Sequence, residues 1–332
     1  MYDHGLIVGK FWPFHLGHSH LIKTACKQCK RVTVGILAHP DQDIPLEVRQ
    51  AWISEIHPDV HLVADIDPVP PGVDGTNAWD RHLEIIRGML DAPVDAVFTS
   101  DAYGEGLAER LKADWVQVDP DRSTFPVSGT EIRKAPYENW HFLPSPVRAW
   151  YVRRVVVTGA ESTGTTTLAL SLADTLNCPF VPEYGRTYTL ERAPVSDAPW
   201  KLEELEHIAR TQIEMENDAA RKSQNGWLVA DTDALTTALW QERYFGERSE
   251  GMADILNTQV QPFAYFLSAD DIPFIPDRIR EGGPERGIMQ ARFRELLSQD
   301  AAPFLEVKGR NVDRVVQAMD FLDALSPDDL PT

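Results

Sequence analysis

Twice in this chain, a short β-branched apolar run leads through a glycine-bearing loop into a helical pattern. Leu6-Ile7-Val8-Gly9 precedes a helix from Leu16, and Arg154-Val155-Val156-Val157 precedes a helix reaching about Leu176. A continuous apolar run of this length fits a strand buried on both faces, which parallel sheets covered by helices provide. The alternation continues after each start. Strands are expected at 31–37, 60–64 and 96–99, with helices at 16–29, 46–56, 77–90 and 106–113. In the second half, 202–223 and 311–325 read as helices, and 227–231 and 263–267 as strands. This rhythm predicts two α/β domains. Ligands in such folds bind beyond the C-terminal ends of the strands.

A proline-marked stretch, Lys134-Ala135-Pro136 through Pro144-Ser145-Pro146, separates the halves. Proline disfavours helix continuation. We therefore place domains at 1–145 and 146–332. At 332 residues the chain is too long for one ordinary core. A hydrophobic content of 43% with 25% charged residues fits a globular protein, and no apolar run approaches a membrane span. The net charge of −19 argues against a nucleic-acid partner. No signal peptide is evident, and the cysteine count is three, so a cytoplasmic location is expected. Cys26 and Cys29 form a C-x-x-C without a second pair, and read as ordinary residues of one continuous helix. Self-association is left open.

The first loop reads Gly9-Lys10-Phe11-Trp12-Pro13-Phe14-His15-Leu16-Gly17-His18. Two imidazoles three residues apart sit where a helix N-terminus offers free N–H groups and positive potential. Gly17 permits close approach of backbone to a ligand. The pattern suits a triphosphate attacked at its α-phosphorus, a reaction that needs positioning and charge stabilisation rather than a covalent residue. Further on, Val127-Ser128-Gly129-Thr130-Glu131-Ile132-Arg133 offers Ser128 as a helix cap, Thr130 as a hydroxyl and Arg133 as a forked cation for phosphate oxygens.

The second loop, Gly159-Ala160-Glu161-Ser162-Thr163-Gly164-Thr165-Thr166, has P-loop spacing between a strand and a helix. Gly159, Ser162 and Gly164 belong to the phosphate cradle, and Thr166 takes the magnesium-hydroxyl position. Thr165, however, stands where the P-loop carries lysine. Either an arginine compensates, or the domain binds nucleotide with little turnover. Asp231 and Asp233, at the end of the 227–231 strand, suit a hard cation or a base for a sugar hydroxyl.

H-x-G-H followed by S-x-T-x-x-R resembles the nucleotidylyltransferase superfamily of Rossmann-like folds. The longer G-K-F-x-P-x-H-x-G-H and V-D-P-D-R…V-S-x-T-x-I-R stretches resemble more narrowly the NadR-type family, over nearly the whole chain. That family joins a nicotinamide-nucleotide adenylyltransferase to a ribosylnicotinamide kinase. The resemblance implies that His15 and His18 bind ATP phosphates and stabilise the transferring adenylyl group. It implies that Lys10, Ser128, Thr130 and Arg133 hold the polyphosphate, and that Trp79 stacks on the nicotinamide ring; plain core packing is the other reading of Trp79. Nicotinamide mononucleotide, ribosylnicotinamide, ATP and Mg2+ are the implied small molecules.

In the second half, Pro182-Glu183-Tyr184-Gly185-Arg186 resembles the family's nucleoside-side segment, implying substrate roles for Glu183, Tyr184 and Arg186 beside Asp233. Pro182 stands where a tryptophan is expected. Asp231 and Thr166 are the implied metal pair. Residues 277–286 resemble a lid whose arginines, including Arg280 and Arg286, close on phosphates. Arg280 is the first candidate to replace the missing lysine, and Arg186 the second. The first strand begins almost at Met1, so no DNA-binding segment or repressor role is expected. Three other readings remain: an adenylyltransferase fused to a degenerate nucleotide-binding regulatory module, a cytidylyl- or adenylyltransferase for another acceptor, and a nucleotide sensor without turnover.

Overall fold

A computed structural model of the chain describes residues 1–68, 76–192, 198–274, 284–299 and 302–325. The chain divides into two compact units, Met1–Val147 and Arg148–Thr332.

The first unit runs β1 (Tyr2–Gly9), α1 (Leu16–Gln28), β2 (Cys29–Ala38), α2 (Leu46–Ile56), β3 (His61–Ile66), α3 (Thr76–Met89), β4 (Ala96–Thr99), α4 (Tyr103–Leu111), β5 (Asp114–Gln117) and α5 (Gly129–Lys134). Helix α6 (Ser145–Tyr151) follows. The five strands form one parallel sheet in the order β3-β2-β1-β4-β5. The central position of β1 explains its composition. Leu6, Ile7 and Val8 are all buried, because helices cover both faces. Leu6 and Val8 pack with Leu83, Ile86, Val97 and Leu107 into one cluster that includes Trp79 at its edge.

The second unit runs β6 (Arg153–Thr158), α7 (Thr165–Leu176), β7 (Phe180–Val181), α8 (Tyr184–Arg192), α9 (Leu202–Lys222), β8 (Trp227–Asp231), α10 (Ala234–Phe245), α11 (Glu250–Leu256), β9 (Ala264–Ser268), α12 (Pro284–Gln299), β10 (Phe304–Val307) and α13 (Asn311–Ala324). Its strands are again parallel, ordered β10-β9-β6-β8-β7. Val155 and Val157 meet Leu168, Leu172, Val229, Phe266 and Val307 in the core.

Both domains have the expected parallel α/β architecture. Three strands, β5, β7 and β10, were not expected from sequence. All three lie at sheet edges, where a strand needs no continuous apolar run. The C-x-x-C also differs from expectation. Helix α1 ends at Gln28 and Cys29 opens β2, so the pair straddles a boundary. Both thiols are free. Burial pushes the Cys29 thiol up to about 11, the opposite of what a redox thiolate needs. Among the described residues, no helix is long and apolar enough to cross a membrane.

Candidate functional site

In the first domain, His15 is the residue before α1, extended at φ −144 and ψ 171. Its backbone N–H donates to His18 Nδ1 at 3.3 Å. The two rings stack with centroids 3.6 Å apart. Phe11 and Phe14, both buried, pack against His18. Burial lowers the His15 pKa to about 3, with Arg122 adding to the effect. Burial, then His15, then Arg122 hold His18 well below the usual range. Both imidazoles are therefore neutral near pH 7. With Nδ1 of His18 accepting a hydrogen bond, its proton resides on Nε2, which makes Nε2–H a donor. His15 Nδ1 is buried and has no hydrogen-bond partner. Gly17 has a local reason. A methyl group there would come within 3.0 Å of the His15 ring, so the absent side chain admits that ring against the helix.

Helix α5 closes on the same loop. Ser128 is extended and its Oγ accepts from Glu131 N at 3.2 Å, capping the helix as expected. A methyl group on Gly129 would lie 2.6 Å from the Trp12 carbonyl oxygen, so only glycine lets the two segments meet. Arg133 lies over Trp12, its Cζ 3.6 Å from the ring centroid, and donates to the Trp12 carbonyl. Its other arm donates to Thr130 Oγ1 at 3.2 Å. The structure thus brings together the H-x-G-H and S-x-T-x-x-R segments, about 110 residues apart in sequence. Partial desolvation lowers the Lys10 pKa, with Asp67 opposing the shift and Arg133 adding to it.

Arg49 was not singled out from the sequence. It is 1% exposed and donates to Lys10 O at 2.9 Å and Gln42 Oε1 at 2.6 Å. Its guanidinium thus supports the loop from inside. The available signal was an arginine three and four residues before Trp52 and Ile53 on the buried face of α2. Trp79 serves partly as packing. One side touches the core cluster, Arg110 lies 4.8 Å from its ring centroid, and His82 meets it edge-on. His82 in turn bonds Asp67.

In the second domain, β6 ends at Thr158 and the loop 159–164 leads into α7. Gly159, at φ +155, leaves no room for a side chain: a methyl group would sit 2.9 Å from Ser268 O. Gly164 precedes the helix at φ +86, and Ser162 is also left-handed at φ +61. Alternating backbone hands of this kind turn successive N–H groups to one side, forming an anion-binding concavity. Thr166 Oγ1 donates to Asp231 Oδ2 at 2.5 Å. Asp231 is 1% exposed and its Oδ1 has no hydrogen-bond partner. Burial raises its pKa, while Thr166, Thr165 and Arg186 pull it back. The donor set fits a small hard cation that takes one carboxylate, one hydroxyl and otherwise phosphate oxygens and water. Among the described residues, no group of three or more His, Cys, Asp or Glu is placed to hold a metal by itself.

Asp233 departs from its expected role. It is fully buried at the N-cap of α10. Oδ1 accepts from Thr236 N and Oγ1, both at 2.9 Å. Oδ2 accepts from Gln259 Nε2 at 2.8 Å and Tyr265 OH at 2.7 Å. Its acceptor capacity is used within the protein, so it builds the helix start rather than contacting a ligand. Tyr184 opens α8, donates its N–H to Gln212 Oε1 at 3.0 Å and meets His207 through its hydroxyl. Glu183 lies beside Gly185. Arg186 is exposed and close enough to lower the Asp231 pKa. Arg286 lies in α12 rather than in a loop, and donates to Ser162 O at 3.2 Å and Ile272 O at 3.0 Å. Arg280 lies outside the described residues.

The fold and its two loops define a class: a nucleotidylyltransferase-like α/β domain joined to a P-loop nucleotide-binding α/β domain. The family model Cytidylyltransferase-like matches residues 6–135, and the model AAA domain matches residues 154–314. The chain is 26% identical to the Trifunctional NAD biosynthesis/regulator protein NadR of Salmonella typhimurium, over 93% of this chain and 80% of that protein. The NadR of Escherichia coli matches with the same identity and coverage. A crystal structure of NadR protein in complex with NR superposes with a TM-score of 0.73 at 19% identity, covering 98% of this chain and 97% of the other. A NadR structure in complex with NAD and AMP-PNP gives 0.72 at 21%, covering 100% and 99%. Along both domains the chain is similar to NadR proteins.

Proposed function

We propose that residues 1–145 transfer the adenylyl group of ATP to nicotinamide mononucleotide, and that residues 146–332 phosphorylate ribosylnicotinamide with ATP. The product of the second reaction is the acceptor of the first. The observation that carries the first activity is the stacked, neutral His15–His18 pair, on a loop that Arg133 holds through the Trp12 carbonyl. In the reaction, a phosphate oxygen of the mononucleotide attacks the α-phosphorus of ATP. The bond to the β-phosphate oxygen breaks, and NAD and pyrophosphate leave. His18 Nε2–H donates to the phosphate oxygens as charge grows on them. An arriving polyanion favours protonation of either imidazole, which burial alone disfavours. Lys10 and Arg133 hold the polyphosphate, Ser128 and Thr130 fix the helix that presents Arg133, and Trp79 offers a ring face to nicotinamide. Catalysis of this kind is positioning and electrostatic stabilisation.

In the second domain, the 159–164 loop cradles the phosphates of ATP, and Thr166 with Asp231 would hold Mg2+. The ion would supply positive charge to offset that of the phosphate oxygens. The ribose hydroxyl of the nucleoside attacks the γ-phosphorus, ADP leaves, and the hydroxyl proton is released. Glu183, Tyr184 and Arg186 are assigned to the nucleoside side. Thr165 favours a second reading, in which this domain binds nucleotide without turnover. A cytoplasmic location fits the proposed substrates.

The test offers purified protein ATP and Mg2+ with either nicotinamide mononucleotide or ribosylnicotinamide, and follows NAD, pyrophosphate and ADP separately. NAD from both acceptors is the expected result. NAD from the mononucleotide alone, with no ADP from the nucleoside, establishes the second reading. No NAD from either acceptor overturns the adenylyltransferase assignment.

A further inference from the structure

The P-loop of the second domain lacks its lysine, yet two guanidinium groups grip its backbone from behind. Arg286 Nη2 donates to Ser162 O at 3.2 Å. Arg314, in the first turn of α13, donates Nη1 to Thr163 O at 2.6 Å and to Ser268 Oγ at 2.5 Å. Ser268 Oγ itself donates to Thr163 O at 2.7 Å. The remaining arms of Arg314 reach Gly309 O at 2.9 Å, Ala269 O at 3.1 Å and Asp271 Oδ1 at 2.5 Å. Arg314 is only 2% exposed, so its position is fixed by these bonds and not by solvent. A methyl group on Gly164 would lie 3.6 Å from Arg314 Nη1, so the charge stands directly behind the loop.

The consequence follows from peptide geometry. In a trans peptide the carbonyl and the following N–H point in opposite directions. Holding the Ser162 and Thr163 carbonyls toward two arginines turns the N–H groups of Thr163 and Gly164 the other way. Those are the groups a phosphate would meet. A cation on the carbonyl also polarises the peptide and strengthens its N–H as a donor. Asp271 offsets part of the Arg314 charge, but it is 37% exposed and sits on the opposite arm of the guanidinium.

We infer that Arg314 is a positioning residue for phosphoryl transfer in this domain: held behind the P-loop, it orients and polarises the Thr163–Gly164 peptide and so supplies electrostatic support that lysine gives other P-loops. The inference rests on the kinase reading of the second domain. It assigns the compensating role to a residue bonded to the loop carbonyls, in place of Arg280 and Arg186.

The experiment is a double-mutant cycle on the full chain between Arg314→Met and Thr165→Lys, read as kcat and KM for ATP in ribosylnicotinamide phosphorylation. Arg314→Met should lower kcat/KM at least tenfold. Thr165→Lys should raise it more than fivefold in the Arg314→Met background and less than twofold in the wild-type background. Arg314→Lys, which keeps the charge, should retain more activity than Arg314→Met. Thermal unfolding of each variant identifies any that fails to fold, and Arg314→Lys then replaces Arg314→Met in the cycle. An equal effect of Thr165→Lys in both backgrounds, or an unchanged kcat/KM in Arg314→Met, overturns the inference while leaving the kinase assignment standing. A wild-type protein that forms no ADP from ribosylnicotinamide overturns both.

Discussion

The two domains place their candidate phosphate loops at the end of a parallel sheet with opposite electrostatics. The first places two neutral histidines where the loop enters α1 and sets cations against the loop: Arg122 depresses both imidazoles, Arg133 lies over Trp12, and Arg49 supports the backbone from inside. The second has no cation within its loop. It uses a buried carboxylate, Asp231, on the ligand side and arginines on the backbone side. On the proposed reading, the first site offers direct donors that are uncharged before a ligand arrives, and the second relies on oriented peptides and on a cation brought by the substrate. Phosphate recognition would then need no fixed positive side chain at the point of contact, provided the peptide dipoles are held.

Removing Asp231 tests the contrast most severely. Asp231→Asn should lower ribosylnicotinamide phosphorylation by about 10³-fold, the several kcal/mol that metal charge stabilisation supplies. Adenylyl transfer by the other domain should stay within twofold. Separate initial rates for ADP and pyrophosphate check this, and a parallel fall in both would erase the distinction between the sites.

His18→Ala should lower adenylyl-transfer kcat by about 10²–10³-fold, the usual loss when a donor to developing negative charge is removed. A loss confined to KM would instead make His18 a ground-state binding group.

The neutrality of the histidines has a stability consequence with a definite sign. The folded pKa of His15, about 3, lies below the unfolded value of 6.5, so acid protonates the unfolded chain first. Stability contributed by neutral His15 is complete above pH 6.5 and is lost as pH falls toward 3. At roughly 1.4 kcal/mol per unit, the loss is about 2 kcal/mol at pH 5. Urea unfolding at pH 7 and pH 5 should show that decline in the wild type and a smaller one in His15→Gln. Identical declines would mean that the pair is solvated in solution and that the contrast with the second domain is weaker than drawn.

Much of this was legible in the chain because local rules sufficed. The helix at Leu46–Ile56 and the strands at Ala96–Thr99 and Trp227–Asp231 have the boundaries their apolar patterns predict. Ser128 caps α5 because a hydroxyl one residue before a short helical run has few other roles. Arg133 and the histidines stand out as candidates by context, H-x-G-H directly after a strand and S-x-T-x-x-R well downstream of it. Asp233 was misread for the same reason. Sequence shows two carboxylates flanking Thr232 at a strand end, and both look like ligands. The structure places Thr232 at φ +69, a left-handed conformation that a β-branched residue seldom adopts, and the two side chains part. Asp231 faces Thr166, while Asp233 caps α10 against Tyr265 and Gln259.

The sequence by itself determined two parallel α/β units, the loops that end their first strands, and the residue types available in each loop. Those follow from periodicity and from the special backbone needs of glycine and capping residues, which act within a few positions. Tertiary structure alone decided which distant groups serve those loops. Arg49 lies beneath one and Arg314 behind the other, each in a helix remote in sequence from the backbone it holds. Helical spacing can place Arg49 on a buried face, but nothing local names the carbonyls that either arginine holds. Their roles arise because burial removes water and leaves carbonyl oxygens as the partners at hand, a condition set only when the helices pack onto the sheet.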